Sequence, residues 1–569
     1  MAEAQHAPRA GRAPSLTERG RAWAWGGALL ILLGALTSSW RVTGLGVMTL
    51  ASLCAAYLSF FPTAILIWRR YLEMKWALER PGGPSSDGFV VGRPFRLLIT
   101  LRSRGPRALG RGRVRIFASS PIEVPPDVEL ALGAEVETTS AVEVTALKVG
   151  VWHLHGAAVE VTGALGLCAV EAYFPSPLGV KVFPRPSARA VSVDARPAAG
   201  APHERLGLHA LRFRGLGGDL RELRDHAPGD PFKQIAWKAT ARTGKLMVRD
   251  LDRETMVTHF LLVDQGATMR KGRPGATKLD YAVDLAAAYA RGALEAGDRV
   301  GLITFDGRIV GEAKPNDGPV HRLRLVEVLM EAMNAVDEDL TELTDSELVA
   351  AVARYLLYQE GVDTRLPRTP AIDDPAWQHL ATSPTGELYD LRVLSRAVNA
   401  ALGEKPRLAS VVASTTELAR LRLFCRARGI ELPYRRAPRE GRRAVGLAQA
   451  LERAAAGRGT QRIVVLSDLE GLETGLDDVA RSVRLARRRG HRLVCAAPSA
   501  RLFAGADDDP VADVVGWDEQ RRERAASRRL SALGVRVVPV GPNDPAGRLA
   551  EPGAQPAAQQ RARARIAAR

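Results

Sequence analysis

The chain reads as a multidomain α/β plus all-β protein behind an N-terminal two-helix transmembrane hairpin. Three observations carry this reading. Two uncharged apolar runs, residues 22–39 and 42–68, stand near the N-terminus. Apolar and polar residues then alternate with period two from residue 89 to about 190, broken often by Gly and Pro, as short antiparallel strands require. From residue 258 strand-length apolar runs alternate with helical ones, the pattern of a doubly wound sheet. At 569 residues the chain also exceeds what one core can fill.

Residues 1–21 are polar and carry Arg9, Arg12, Arg19 and Arg21, a cytoplasmic basic tail. Each apolar run approaches the ~20 residues that a bilayer core demands. Trp23, Trp25, Trp40 and Trp68 stand at their ends, where interfacial tryptophans belong. A cleaved signal peptide is disfavoured because a second run follows at once. Arg69, Arg70 and Lys75 follow the second run, and Arg41 alone sits between the two. The positive-inside rule therefore places both flanks in the cytoplasm.

A Pro/Gly/Ser linker at 81–88 leads into a β-sandwich-like domain over 89–190. There Phe95, Leu97, Ile99 and Leu101 alternate with Arg96, Thr100 and Arg102. His153 and His155 share one face of a strand, without a third metal ligand nearby in sequence.

Within 201–257 lies the densest run of acids and bases, GDLRELRDHAPGDPFKQIAWKATARTGKLMVRD. Pro228-Gly229 makes a turn, and Asp230 suits a helix N-cap followed by Pro231. Trp237 is expected in the core, and Gly244 at a left-handed helix end. Leu246 and Val248 then alternate as a strand. The segment resembles the signature of the bacterial family called domain of unknown function 58. The matching positions include Asp219, Arg221, Pro228, Gly229, Asp230, Trp237, Lys238, Arg242 and Gly244. His226 stands where that family usually has an aromatic, commonly tyrosine.

The α/β domain is expected over 258–545. Its strands fall at 259–264 (HFLLVD), 299–305 (RVGLITF), 308–313 at an edge, 462–468 (RIVVLSD), 492–497 and 535–540. Helices fall at 279–295, 320–336 and up to about 489. A helical insertion on one rim occupies about 337–460. In it Thr344 and Glu347 form a capping box, and a helix over 417–428 ends at Gly429. The tail 546–569 is rich in Ala, Gln, Pro and Arg and is expected to be disordered.

Two of these strands end in acids, at Asp264-Gln-Gly266-Ala-Thr268 and at Ser467-Asp468. The pattern resembles a von Willebrand factor A domain. The resemblance implies an Mg²⁺ site built from Asp264, Thr268 and Asp468, with a further threonine for which Thr341 and Thr344 are the candidates. Hard cations take such oxygen ligands and leave a position for a partner's carboxylate. Gly266 departs from the family's serine and offers no oxygen. Without a metal, the two acids would cap loops and helix starts.

Net charge is +17, but the arginines are spread out and only 5% of residues are aromatic. Such a chain suits an anionic inner leaflet better than a nucleic acid. Four scattered cysteines exclude a disulfide framework. No phosphate-binding loop or nucleophile elbow occurs. The expectation is a non-enzymatic interaction protein in the bacterial inner membrane, multi-pass, with its soluble domains in the cytoplasm. The resemblance to the first family implies a MoxR-type AAA+ ATPase as protein partner, in envelope or complex-maturation processes. The alternative is a hydrolase or transferase using the acids and bases of the signature.

Overall fold

The computed structural model describes residues 14–541 apart from 69–71, 80–87, 104–109, 133–136, 164, 186–208, 228–231, 233–234, 368–378, 403–415, 436–441, 458, 473–474, 500–502 and 504–509. At 110, 131, 209–222, 224, 249–255 and 510–520 it describes the backbone alone. The chain divides into two compact units, residues 1–183 with 334–434, and residues 184–333 with 435–569.

The first unit opens with a short strand, Ser15–Leu16, and two helices, Glu18–Leu36 and Trp40–Trp68. Thr17 caps the first helix, its hydroxyl accepting from the Gly20 amide at 3.1 Å. The helices pack through small residues. A Cβ at Gly46 would meet Ile31 Cγ1 at 2.7 Å, and one at Gly27 would meet Thr49 Oγ1 at 2.7 Å. Among the described residues one helix, Trp40–Ile67, is long and apolar enough to cross a membrane. The first starts earlier than its apolar run and takes Glu18, Arg19 and Arg21 into its first turn. Its uncharged part, 22–36, is about 22 Å long, short of a ~30 Å hydrocarbon core.

Two mostly antiparallel sheets follow. In one, Ser15–Leu16, Cys168–Phe183, Gly150–Thr162, Gly110–Ala118 and Val128–Leu132 lie side by side, with Phe89–Val90 pairing Cys168–Phe183 in parallel. In the other the order is Leu72–Glu79, Pro94–Ser103, Glu137–Ala146, Ile122–Glu123. The expected alternation is present: Phe95, Leu97, Ile99 and Leu101 are buried while Arg96 and Arg102 are exposed. The β region begins sooner than 89, because Leu72–Glu79 pairs with Arg96–Ser103 along its whole length.

Residues 334–434, most of the segment expected as a helical insertion over 337–460, fall in this unit. Its helices Asp345–Tyr355, Leu391–Leu402 and Glu417–Ala427 share a core of Leu348, Val352, Leu394, Val398, Leu421 and Phe424. The reason for its placement is a set of contacts with the sandwich. Tyr355 Oη lies 3.0 Å from His155 Nδ1, and Lys148 Nζ donates to Glu431 at 2.7 Å. The Thr344–Glu347 capping box forms as expected.

In the second unit a two-stranded ribbon, His209–Asp225 with Met247–Thr255, carries the short helix Trp237–Thr243. Gly244 ends that helix at φ 68°, the left-handed position. The doubly wound sheet comprises β1 (Thr258–Asp264), β2 (Arg299–Phe305), β3 (Ile309–Asn316), β4 (Gln461–Leu466), β5 (Arg492–Pro498) and β6 (Arg536–Val540), in spatial order β3-β2-β1-β4-β5-β6. All neighbours run parallel except the edge strand β3. The helices are α1 (Lys278–Glu295), α2 (Pro319–Met333), α3 (Arg442–Ala455), α4 (Leu476–Arg488) and α5 (Pro510–Ala532). Leu262, Ile303, Leu447, Leu451, Ile463 and Val483 fill one side of this sheet. Strand order reverses between β1 and β4, and open α/β sheets bind ligands at the carboxyl ends of strands beside such a reversal.

Candidate functional site at the strand ends

Asp264 closes β1, and Ser467 and Asp468 follow β4, so the reversal itself brings the two acids together. Thr268 joins them from the short helix Ala267–Arg270. All four are buried. Between them lies a residue that sequence reasoning missed, Arg443, from the first turn of α3. Its Nε and Nη2 donate to Asp264 Oδ2 at 2.8 and 2.5 Å. Nη2 also donates to Asp468 Oδ1 at 2.6 Å. Nη1 donates to Thr268 Oγ1 at 2.6 Å and to the Glu470 carbonyl at 2.5 Å. A guanidinium has five N–H donors, and each has an acceptor here.

Each carboxylate oxygen also has a donor other than Arg443. Ser467 Oγ donates to Asp264 Oδ2 at 2.6 Å, and the Gly266 amide donates to Oδ1 at 2.9 Å. Lys278 Nζ, at the start of α1, donates to Asp468 Oδ2 at 3.0 Å. Leu469 turns at φ 60°, a conformation that a non-glycine residue rarely adopts. Its amide donates to Ser467 Oγ at 3.2 Å, and the turn leads to the Glu470 carbonyl that meets Arg443. Two carboxylates face one guanidinium and one ammonium, a neutral buried quartet; at its edge Glu470 lies 3.7 Å from Lys278 Nζ and pairs with Lys271 at 3.2 Å.

Burial is the largest influence on each acid. It pushes the Asp264 carboxyl up, against the pull of Arg443 and with repulsion from Asp468. For Asp468 burial is outweighed by Arg443 and Lys278, which hold it at about 2. Burial also acts against the charge of Arg443, yet the two carboxylates hold its guanidinium above its ordinary value.

Thr341 and Thr344 take no part. Thr341 Oγ1 accepts from Arg422 in the other unit, and Thr344 caps Asp345–Tyr355. Among the described residues no three His, Cys, Asp or Glu side chains converge as metal ligands. Of the signature, Pro228, Gly229 and Asp230 and the side chains of Asp219 and Arg221 lie outside the described residues. Lys238 and Arg242 are exposed. Trp237 is 63% exposed, contrary to the expected burial. Ile235, Ala236 and Val248 take the buried positions instead, because Ile235 bridges Val248 and turns the helix that follows outward.

One buried triad lies at the other end of β1. His259 Nε2 is 3.0 Å from Asp298 Oδ2, and its Nδ1 is 3.0 Å from Tyr289 Oη. His259 and Asp298 are fully buried, and Asp298 accepts the Val257 amide at 2.8 Å. It pins a strand to a helix.

Fold and site together define a mixed α/β protein with several sheets, an apolar N-terminal helix and a salt-bridged strand-end rim. Residues 222–354 match the profile of the family described as "Protein of unknown function DUF58". Uncharacterized proteins of Mycobacterium bovis and Mycobacterium tuberculosis are 29% identical over 143 residues, which is 25% of this chain and 45% of each relative. The match thus spans less than half of those relatives. Among solved structures, a CARDB domain from Pyrococcus furiosus is 14% identical over 20% of this chain and 94% of its own, with a TM-score of 0.15. A FixG-related protein from Vibrio parahaemolyticus is 10% identical over 19% and 96%, with a TM-score of 0.12.

Proposed function

We propose that this is a membrane-anchored, non-enzymatic docking protein of the bacterial inner membrane, whose von Willebrand factor A-like domain presents its strand-end rim to a protein partner. The observation that carries the anchoring is connectivity. The strand before the two helices, Ser15–Leu16, and the strand after them, Leu72–Glu79, both enter the sheets of the first unit. The helix pair therefore leaves and returns on one side, as a multi-pass hairpin must. Its outward residues are apolar: Trp23, Trp25, Leu29, Trp40, Met48 and Leu58 are exposed, which water disfavours and lipid does not. Basic flanks put the soluble units in the cytoplasm.

The rim supports an acidic partner surface. Arg273 after β1, Arg308 after β2 and Arg442 at the start of α3 are exposed around the buried quartet, as is Lys271, which also donates to Glu470 at 3.2 Å. Complementary charge steers such encounters. A MoxR-type AAA+ ATPase is the partner class proposed. A hydrolase or transferase would need the signature's acids and bases to converge, and Lys238 and Arg242 point to solvent.

The test is capture of a MoxR-type ATPase from the same cell by the full-length protein in detergent. Charge reversal of Lys271, Arg273 and Arg442 to Glu should lower capture at least tenfold and make the residue less salt-sensitive. Equal capture by wild type and the reversed variant would remove the rim from the reading. Recovery of the wild-type protein without detergent in the soluble fraction would remove the anchor.

A further inference from the structure

The acids at the ends of β1 and β4 supply the oxygen half of a divalent-cation site, but the donor set does not fit such an ion. Gly266 brings no oxygen. Thr268 Oγ1, the remaining hydroxyl of that loop, accepts from Arg443 at 2.6 Å. Arg443 Nη2 bridges the two carboxylates at 2.5 and 2.6 Å, and Lys278 holds the other oxygen of Asp468 at 3.0 Å. A divalent ion placed there would share its ligands with two fixed positive charges in a water-poor setting, where like charges repel strongly.

We infer that Arg443 is the resident cation of this rim, a guanidinium supplied by the chain itself where a divalent ion would otherwise stand. Three independent features agree. All five of its donors are used. The loop is cut to admit it: a Cβ at Gly266 would come within 3.1 Å of Asp264 Oδ1 and 3.3 Å of Arg443 Nε. Finally, α3 is held close enough to deliver it, since a Cβ at Gly446 would collide with the Asp306 carbonyl. The inference goes beyond the docking reading and stands without it, because it concerns what neutralises the acids and not what binds above them.

The consequence is that this rim is complete and closed without metal. Full-length protein in detergent should melt at the same temperature in excess Mg²⁺, Mn²⁺ or EDTA. Arg443→Ala should lower the midpoint on the order of 10 °C, and added Mg²⁺, Mn²⁺ or methylguanidinium should restore part of the loss. Adding Asp264→Asn to Arg443→Ala should abolish the restoration. If Arg443→Ala does not accumulate, Arg443→Lys serves: it keeps the charge but loses the fork, and should fold with a smaller loss and the same indifference to EDTA. Stabilisation of the wild type by Mg²⁺ that disappears with Asp264→Asn would overturn the inference. So would an Arg443→Ala variant that is as stable as wild type, or one that no cation restores.

Discussion

At the scale of single residues, the chain's best-defined chemistry is a buried neutral quartet. Removing one partner of a buried ion pair leaves a charge without compensation, which typically costs about 3–5 kcal/mol. Arg443→Ala should therefore destabilise the α/β unit by about that much in denaturant titration. Asp264→Asn combined with Arg443→Ala should cost less than the sum, with a coupling energy of about 1–3 kcal/mol. Additive losses would mean that the two do not interact. His155 sets a second expectation. Burial, with His153 and Arg428 adding to it, pushes its imidazole down to about 3. The unfolded residue titrates near 6.5. Between these values the unfolded chain binds a proton that the folded chain refuses. Stability of the first unit should fall as pH drops from about 6.5 towards 3, by up to ~1.4 kcal/mol per pH unit. His155→Gln should flatten the slope in urea titrations at stepped pH; an unchanged slope would assign it to other groups.

At the scale of elements, two helices make the site and the insertion possible. α3 approaches the turn after β2 so closely that Gly446 has no room for a side chain against Asp306. Gly446→Ala should cost about 1–3 kcal/mol through overpacking, although alanine is the better helix former. An equal or higher unfolding midpoint would show that α3 can retreat without loss. The insertion helix Asp345–Tyr355 depends on its start. Thr344 accepts the Glu347 amide, and the Glu347 carboxylate accepts the Thr344 amide at 2.8 Å. Thr344→Ala should cost about 1 kcal/mol, and Thr344→Ser should restore most of it. If Ser and Ala variants unfold together, the hydroxyl is not the cap.

At the scale of the whole molecule, the sandwich ties both ends of the helix pair to one side. If the proposed anchoring holds, protease added outside intact spheroplasts should leave both units uncut, and disrupted cells should expose them. Cleavage within 89–183 from outside would reverse the topology. The helix Glu18–Leu36 is the element to watch, since its uncharged part is short for a full crossing. Replacing Gly20 is expected to disturb the helix start, where a Cβ would collide with the Leu167 carbonyl.

The sequence by itself determined the local elements. β1, β2, β5 and α1 fall within about a residue of where apolar runs place them, because continuous apolar runs and capped amphipathic ones have few local alternatives. Gly244 and Gly429 close their helices in left-handed conformations for the same local reason. Apolar runs ending in acids marked Asp264 and Asp468 as strand-end residues, and the resemblance to a von Willebrand factor A domain added Thr268. What the tertiary structure decided was which elements share a core and what those acids meet. Trp237 lost its expected burial to Ile235 and Val248, a choice made by strand pairing across the ribbon. The insertion joined the sandwich through His155, Tyr355 and Lys148, contacts between residues up to 283 positions apart. Arg443 stands 179 positions from Asp264 and opens a helix like many others in an arginine-rich chain. Only charge balance hints at it: two buried acids with only the hydroxyls of Thr268 and Ser467 beside them call for a cation, and only folding determines which one arrives.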